Sequence, residues 1–217
     1  AYMGLTGGFG TLIGGRLYTP HFSFVGAIDP FAAGTVGQYR NAYGKDASGL
    51  IDPVRVDNAV AYVSPSFGGF TVTAAYSNNV LGQESAVDNS KNNTVYALLG
   101  RYTAGPVDAG LNLHRIAVGS SIASTKYVDN ATLAGTFDAK VVKIAALYSY
   151  NLVDNTAASS DIRIENWMIG ATVPLGKFAI KTSYLFSDGN TAAGGNSQQF
   201  AVGANYSLSK RTDLYTA

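Results

Sequence analysis

The side chains able to do chemistry in this chain of 217 residues are few and scattered: two histidines, His21 and His114, and no cysteine. Disulfides and thiolate metal sites need cysteine, and metal ligands recur at close, regular spacing. The two histidines fit neither pattern and read as a polar loop residue and an inward strand residue. The stretch "GGFGTLIGG" (7–15) has the glycines of a phosphate loop. It lacks the terminal Lys–Ser/Thr and runs into strand rather than helix periodicity. The triplets "NNT" (92–94) and "NAT" (130–132) match glycosylation acceptors but are short enough to arise by chance. No catalytic, cofactor or metal constellation emerges, so the sequence points away from an enzyme.

What remains is charge. Only 13% of the residues are charged, about half the usual share of roughly 25%. The net charge of +1 gives no support for nucleic-acid binding. Arg16, Arg55, Arg101, Lys143 and Lys181 sit in segments with strand periodicity, with Asp57 and Asp108 as the clearest acids beside them. The long polar stretch 19–54 adds Asp29, Asp46 and Asp52, with Arg40 and Lys45.

These residues must be positioned by strands. Side chains alternate faces in an extended chain. "FTVTAAYSNN" (70–79) puts Phe70, Val72, Ala74 and Tyr76 on one face and Thr71, Thr73, Ala75 and Ser77 on the other. The same alternation predicts strands near 1–6, 10–18, 55–65, 68–79, 93–103, 107–118, 126–137, 140–151, 162–173, 177–187, 198–208 and 212–217. No segment keeps a helical period over three turns, and no apolar run reaches the roughly 18 residues of a membrane-crossing helix. The opening "AYMGLTGG" lacks the basic start and apolar stretch of a signal peptide.

Short connections (7–10, 65–69, 104–106, 174–177, 209–212) alternate strictly with long polar ones (19–54, 80–92, 119–125, 152–161, 188–197). In an up-and-down sheet that sorts all short turns to one end and all long loops to the other, the asymmetry of outer-membrane barrels. The apolar faces, often bounded by Phe or Tyr, are expected to meet lipid. The opposite faces carry Thr, Ser, Ala, Gly, Asn and single cations, and are expected to meet water in a lumen. Arg or Lys facing lipid at mid-membrane costs about 2–4 kcal/mol, and the alternation places the five strand cations on the wet face. Arg16 falls about mid-height, Arg101, Lys143 and Lys181 nearer the short turns, and Arg55 near the long-loop end. Arg115 departs from the pattern. It shares the face of Leu111 and Leu113, which suits the outer rim or a subunit contact. The competing fold is a soluble β-sandwich that binds ligands through its long loops.

Several strings resemble the general diffusion porins of β-proteobacterial and neisserial type. They are "GLTGGFGTLIGGRLYTP", "DNAVAYVSPSFGGFTVTAAYS", "GATVPLGKFAIKTSY" and "YSLSKRTDLYTA". The resemblance covers essentially the whole chain. It implies an all-β transmembrane up-and-down barrel of sixteen strands, of which residues 1–217 would form about twelve, strands four through fifteen, in one incomplete barrel domain. It also implies a homotrimer in the bacterial outer membrane, in contact with membrane lipid and lipopolysaccharide. Without cofactors, it would pass ions and small hydrophilic solutes passively. A substrate-specific channel is the alternative within the same class. The resemblance makes 19–54 the loop that folds into the pore, and sets the arginine of its "GR" motif, here Arg16, opposite a loop acid, best matched by Asp29 in "AIDPF". The residues alone allow Asp29 a plainer role, capping the turn before Pro30. With wall cations outnumbering wall acids, weak anion preference is expected.

Overall fold

A computed structural model describes residues 1–32, 34–44, 50–80, 93–119, 125–155, 161–189 and 195–217. Lys45, Asp46 and the start of the "NNT" triplet lie outside these residues. Twelve strands form one sheet in strict sequence order. They are β1 (Tyr2–Gly7), β2 (Gly10–Tyr18), β3 (Arg55–Val63), β4 (Phe70–Asn79), β5 (Thr94–Ala104), β6 (Val107–Ala117), β7 (Thr125–Asp138), β8 (Lys143–Asn155), β9 (Ile162–Leu175), β10 (Phe178–Gly189), β11 (Ser197–Ser209) and β12 (Thr212–Thr216). Every neighbouring pair is antiparallel. A sandwich with crossing connections would not keep this order. The tight turns use the conformations glycine allows: Gly105 and Gly176, at φ 55° and 65°, reverse the chain between β5 and β6 and between β9 and β10.

The outer wall is apolar and exposed. Phe70 is 60% exposed, Ile169 61% and Phe200 70%. Cross-strand aromatic partners mark two levels on it. Phe70–Tyr102 and Phe178–Tyr206, each 4.5 Å between ring centroids, lie toward the short turns. Tyr76–Tyr96 at 5.4 Å and Tyr148–Trp167 at 4.3 Å lie toward the long loops. Two aromatic belts flanking an apolar band are what the two membrane interfaces select. Tyr148 shares this outward face and is partly covered there by its packing on Trp167.

The inner face departs from the expectation of an evenly wet surface. A helix, α1 (Pro20–Ile28), follows β2. It starts because Thr19 accepts a hydrogen bond from the Phe22 N–H at 3.1 Å and Pro20 supplies the first-turn φ. It stops because Asp29, preceding Pro30, is pushed out of the helical region. A short 3₁₀ turn follows over Tyr39–Asn41. Phe24, Val25, Ile28, Tyr39, Tyr43 and Ile51 then pack against inward Leu99, Ile116, Val128, Leu147, Met168 and Leu185, forming one buried cluster. The core therefore lies between this segment and the inner wall. Burial of this apolar stripe, not helical propensity, holds so short a helix.

Candidate functional site: a charged lumen and its inward segment

The wall approaches the segment 19–54 closely where glycine leaves room. A Cβ on Gly110 of β6 would lie 3.0 Å from the Phe24 ring, and one on Gly170 of β9 would lie 2.6 Å from Pro30 Cγ. Polar contacts do the rest. His21 Nδ1 lies 3.0 Å from Asp52, and His21 Nε2 lies 3.0 Å from the Tyr43 hydroxyl and 3.2 Å from that of Thr132. Tyr43 donates to Ser149 at 2.7 Å, and Asn130 donates to Asn151 at 2.6 Å. The Gly44 N–H reaches Asn166 at 2.9 Å, and Gln199 of β11 donates to the Gly37 carbonyl at 2.8 Å. Loop and wall thus share a buried network at β7 and β8, with part-buried contacts to β9 and β11 beside it.

Burial by itself pushes Asp52 toward neutrality. The hydrogen bonds and charges of His21 and Arg40 outweigh that and hold its carboxyl below the usual range. Arg40 Nε lies 2.6 Å from it. Burial pushes the Tyr43 phenol up to about 12, so it remains a neutral donor.

The histidines, expected to be unrelated, come within 5.5 Å of each other, ring to ring, inside this network. The sequence did carry its signal: Asn112, Asn130, Thr132, Ser149, Asn151 and Asn166 are alternate, inward residues of consecutive strands. They read as water-facing but are buried because the loop covers them.

The predicted charges separate into two groups. Arg16, Arg55 and Arg101 line one cavity of about 670 Å³ between the inner faces of β2–β5 and the start of α1. Arg16 pairs with Asp57 at 3.3 Å, opposite a register shift where Asn58 takes positive φ. Arg101 grips Asp108 through two hydrogen bonds, 2.7 and 2.6 Å, and lies 5.6 Å from the Phe24 ring. Arg55 stacks on Tyr18, 4.4 Å from the ring centroid, and donates to its hydroxyl. Lys181 lies elsewhere, lining a smaller cavity of about 310 Å³ with Phe31, Thr35 and Asn205. Lys143 adds its field at Asp108.

Asp29 does not face Arg16. It is buried, and its carboxylate accepts the N–H groups of Phe31 at 3.0 Å and Tyr39 at 2.8 Å. Turn capping claims it, and Lys181 is the wall cation whose charge it feels. Burial raises its pKa, against the opposing effect of those hydrogen bonds and Lys181. Arg115, on the outer face, is bound by Asp129 through bonds of 2.6 and 2.7 Å, so its charge is matched where it meets the membrane side.

The family profile described as Gram-negative porin matches residues 1–217. The chain belongs to that family. An outer membrane porin, protein 32 of Delftia acidovorans, is 29% identical over 97% of this porin and 60% of its own length. An outer membrane porin protein of Bordetella pertussis is 28% identical over 95% of this chain and 62% of its own. Among solved structures, the anion-selective porin from Comamonas acidovorans superposes with a TM-score of 0.78 at 27% identity, covering 99% of this chain and 64% of that one. OmpT of Vibrio cholerae, in a trimer form, shares the fold at a TM-score of 0.69 and 17% identity, with 99% of this chain and 67% of that one covered. This porin spans about three fifths of the length of the first two relatives. Membership places it in the bacterial outer membrane.

Proposed function

We propose that these residues form most of the wall and the narrowing loop of a trimeric, water-filled channel, through which ions and small hydrophilic solutes diffuse with weak anion preference. The observation that carries this is the fate of the charges. The two described loop acids that could oppose anions, Asp29 and Asp52, are buried and hydrogen-bonded. Arg16 keeps 59% of its side chain exposed, and Arg101 keeps 28%. Acids withdrawn from the water path leave wall cations as the nearer fixed charges, and fixed charge near the narrowest point sets ion preference. Contact with lipid and lipopolysaccharide on the outer wall belongs to the same proposal, supported by the two aromatic levels. Insertion of the assembled protein into planar bilayers tests it. Stepwise conductance rising with salt is expected, and liposomes carrying the protein should swell in small sugars but not in oligosaccharides. An assembled protein that gives no conductance steps would overturn the channel reading.

A further inference from the structure

Four side chains from four pieces of the chain meet at the neck of the inward segment. Arg55, which opens β3, lies 4.4 Å from the centroid of the Tyr18 ring at the end of β2 and donates to its hydroxyl. Tyr18 stacks on Phe22 in the first turn of α1, with ring centroids 5.2 Å apart and planes inclined by 20°. Arg40, in the 3₁₀ turn, lies 5.7 Å from the centroid of the Phe22 ring. The contacts therefore run Arg55–Tyr18–Phe22–Arg40, two rings with a guanidinium at each end. The two ends of the segment are tied together beside this stack. The Thr19 hydroxyl donates to the Pro53 carbonyl at 2.7 Å, and the Thr19 N–H donates to the Val54 carbonyl at 3.1 Å. Tyr18 and Arg55 belong to the wall side of that tie, and Phe22 and Arg40 to the segment side. A swing of the segment about its neck has to part the rings.

Beneath α1 the contact is largely apolar, through Phe24, Val25 and Ile28. Apolar burial is non-directional. It covers that face of the helix without fixing how far along the wall the helix sits. Ring stacking and guanidinium–ring contacts depend on geometry, and here they reach wall residues outside the buried cluster. His21 holds the helix from its buried side through the network at β7 and β8; the stack holds it from the flank. We propose that the Arg55–Tyr18–Phe22–Arg40 stack locks the neck of the inward segment, with Phe22 as the positioning residue that keeps α1 at one place along the wall. Its effect on current rests on the channel reading, to which it adds the device that keeps the narrowing segment from swinging.

The test uses the assembled full-length protein, read by hydrogen exchange of the 21–28 amides and by single-channel recording. Phe22→Leu keeps an apolar side chain and removes the ring. Exchange of those amides should quicken by about tenfold, and the open channel should show added conductance sublevels. Phe22→Tyr restores a ring and should return both readings to those of the unaltered protein. Arg55 meets Tyr18, not α1, in its hydrogen bond and its ring contact. Arg55→Gln should nevertheless quicken exchange in α1, by about threefold, an effect that simple packing of Phe22 would not produce. Unchanged exchange in Phe22→Leu, no restoration by Phe22→Tyr, or no response of α1 to Arg55→Gln would each overturn the lock while leaving the channel intact. Should Phe22→Leu fail to assemble, Tyr18→Leu removes the other ring. The same quickening there sustains the lock, and unchanged exchange removes it. If the unaltered protein passes no current, the channel reading fails, and the exchange series decides the lock alone.

Discussion

Arg16 lies against Asp57 on the wall rather than against a loop acid. Replacing it with Ala removes a cation from the lumen and uncovers a carboxylate, so both changes act in one direction. The zero-current potential in a salt gradient should move toward cation preference, with folding nearly intact because the side chain lines water. An unchanged potential in a correctly assembled protein would take Arg16 out of the conducting path. Asp52 acts on the loop instead. Its carboxyl is held below the ordinary value of about 3.9 by His21 and Arg40. The docking free energy it supplies is therefore fully present above about pH 4 and lost as pH falls through its lower, docked value. Asp29 works oppositely, since burial raises its pKa and protonation there favours the docked state. Asp52→Asn should weaken docking by about 2–3 kcal/mol at neutral pH, read as faster hydrogen exchange of the 20–44 amides. It should also reduce the extra exchange that wild type shows as pH falls below about 4. Equal exchange in variant and wild type at pH 7 would contradict the role given to the Asp52 cluster.

The strands were legible because alternation survives in each of them: all twelve expected segments appear, with ends shifted by only a few residues. Helix α1 was not. It has nine residues, too short for a helical period to show, and only the Thr19–Pro20 pair announced its start. The inner face was half legible. Its Asn, Ser and Thr stripe pointed inward as expected, but nothing local told water from a covering loop. Inward Leu99, Leu147, Met168 and Leu185 were the overlooked sign that something apolar would lie on them. The Arg16–Asp29 pairing failed for a related reason: a carboxylate before Pro can satisfy two backbone N–H groups locally, and here it does. If the loop seat works as a close fit, Gly170→Ala should displace Pro30, whose Cγ would sit 2.6 Å from the new methyl. Backbone of β10 also lies close, with the Thr182 carbonyl oxygen at 3.2 Å, so displacement of the loop is the easier relief. Single-channel conductance should rise while the proposed trimer still assembles. Unchanged conductance would mean that the loop absorbs the methyl without moving.

At the scale of the whole molecule, one wall must meet lipid, a partner, or both. The exposed apolar face runs from Met3 and Leu12 through Val72 and Leu98 to Ile180 and Val202, and so large an apolar surface does not stay in water. Cross-linking of the assembled protein in mild detergent should trap trimers, and a pattern ending at dimers would contradict the proposed assembly. The charge balance of the lumen is tested most directly by the zero-current potential of the assembled protein across a tenfold potassium chloride gradient. The cavity cations set against buried loop acids predict a potential of anion-preferring sign. Because charges in the aqueous lumen are screened beyond about 8–10 Å at physiological salt, that potential should shrink toward zero as both concentrations are raised. A potential of cation-preferring sign, or one that does not change with salt, would contradict it.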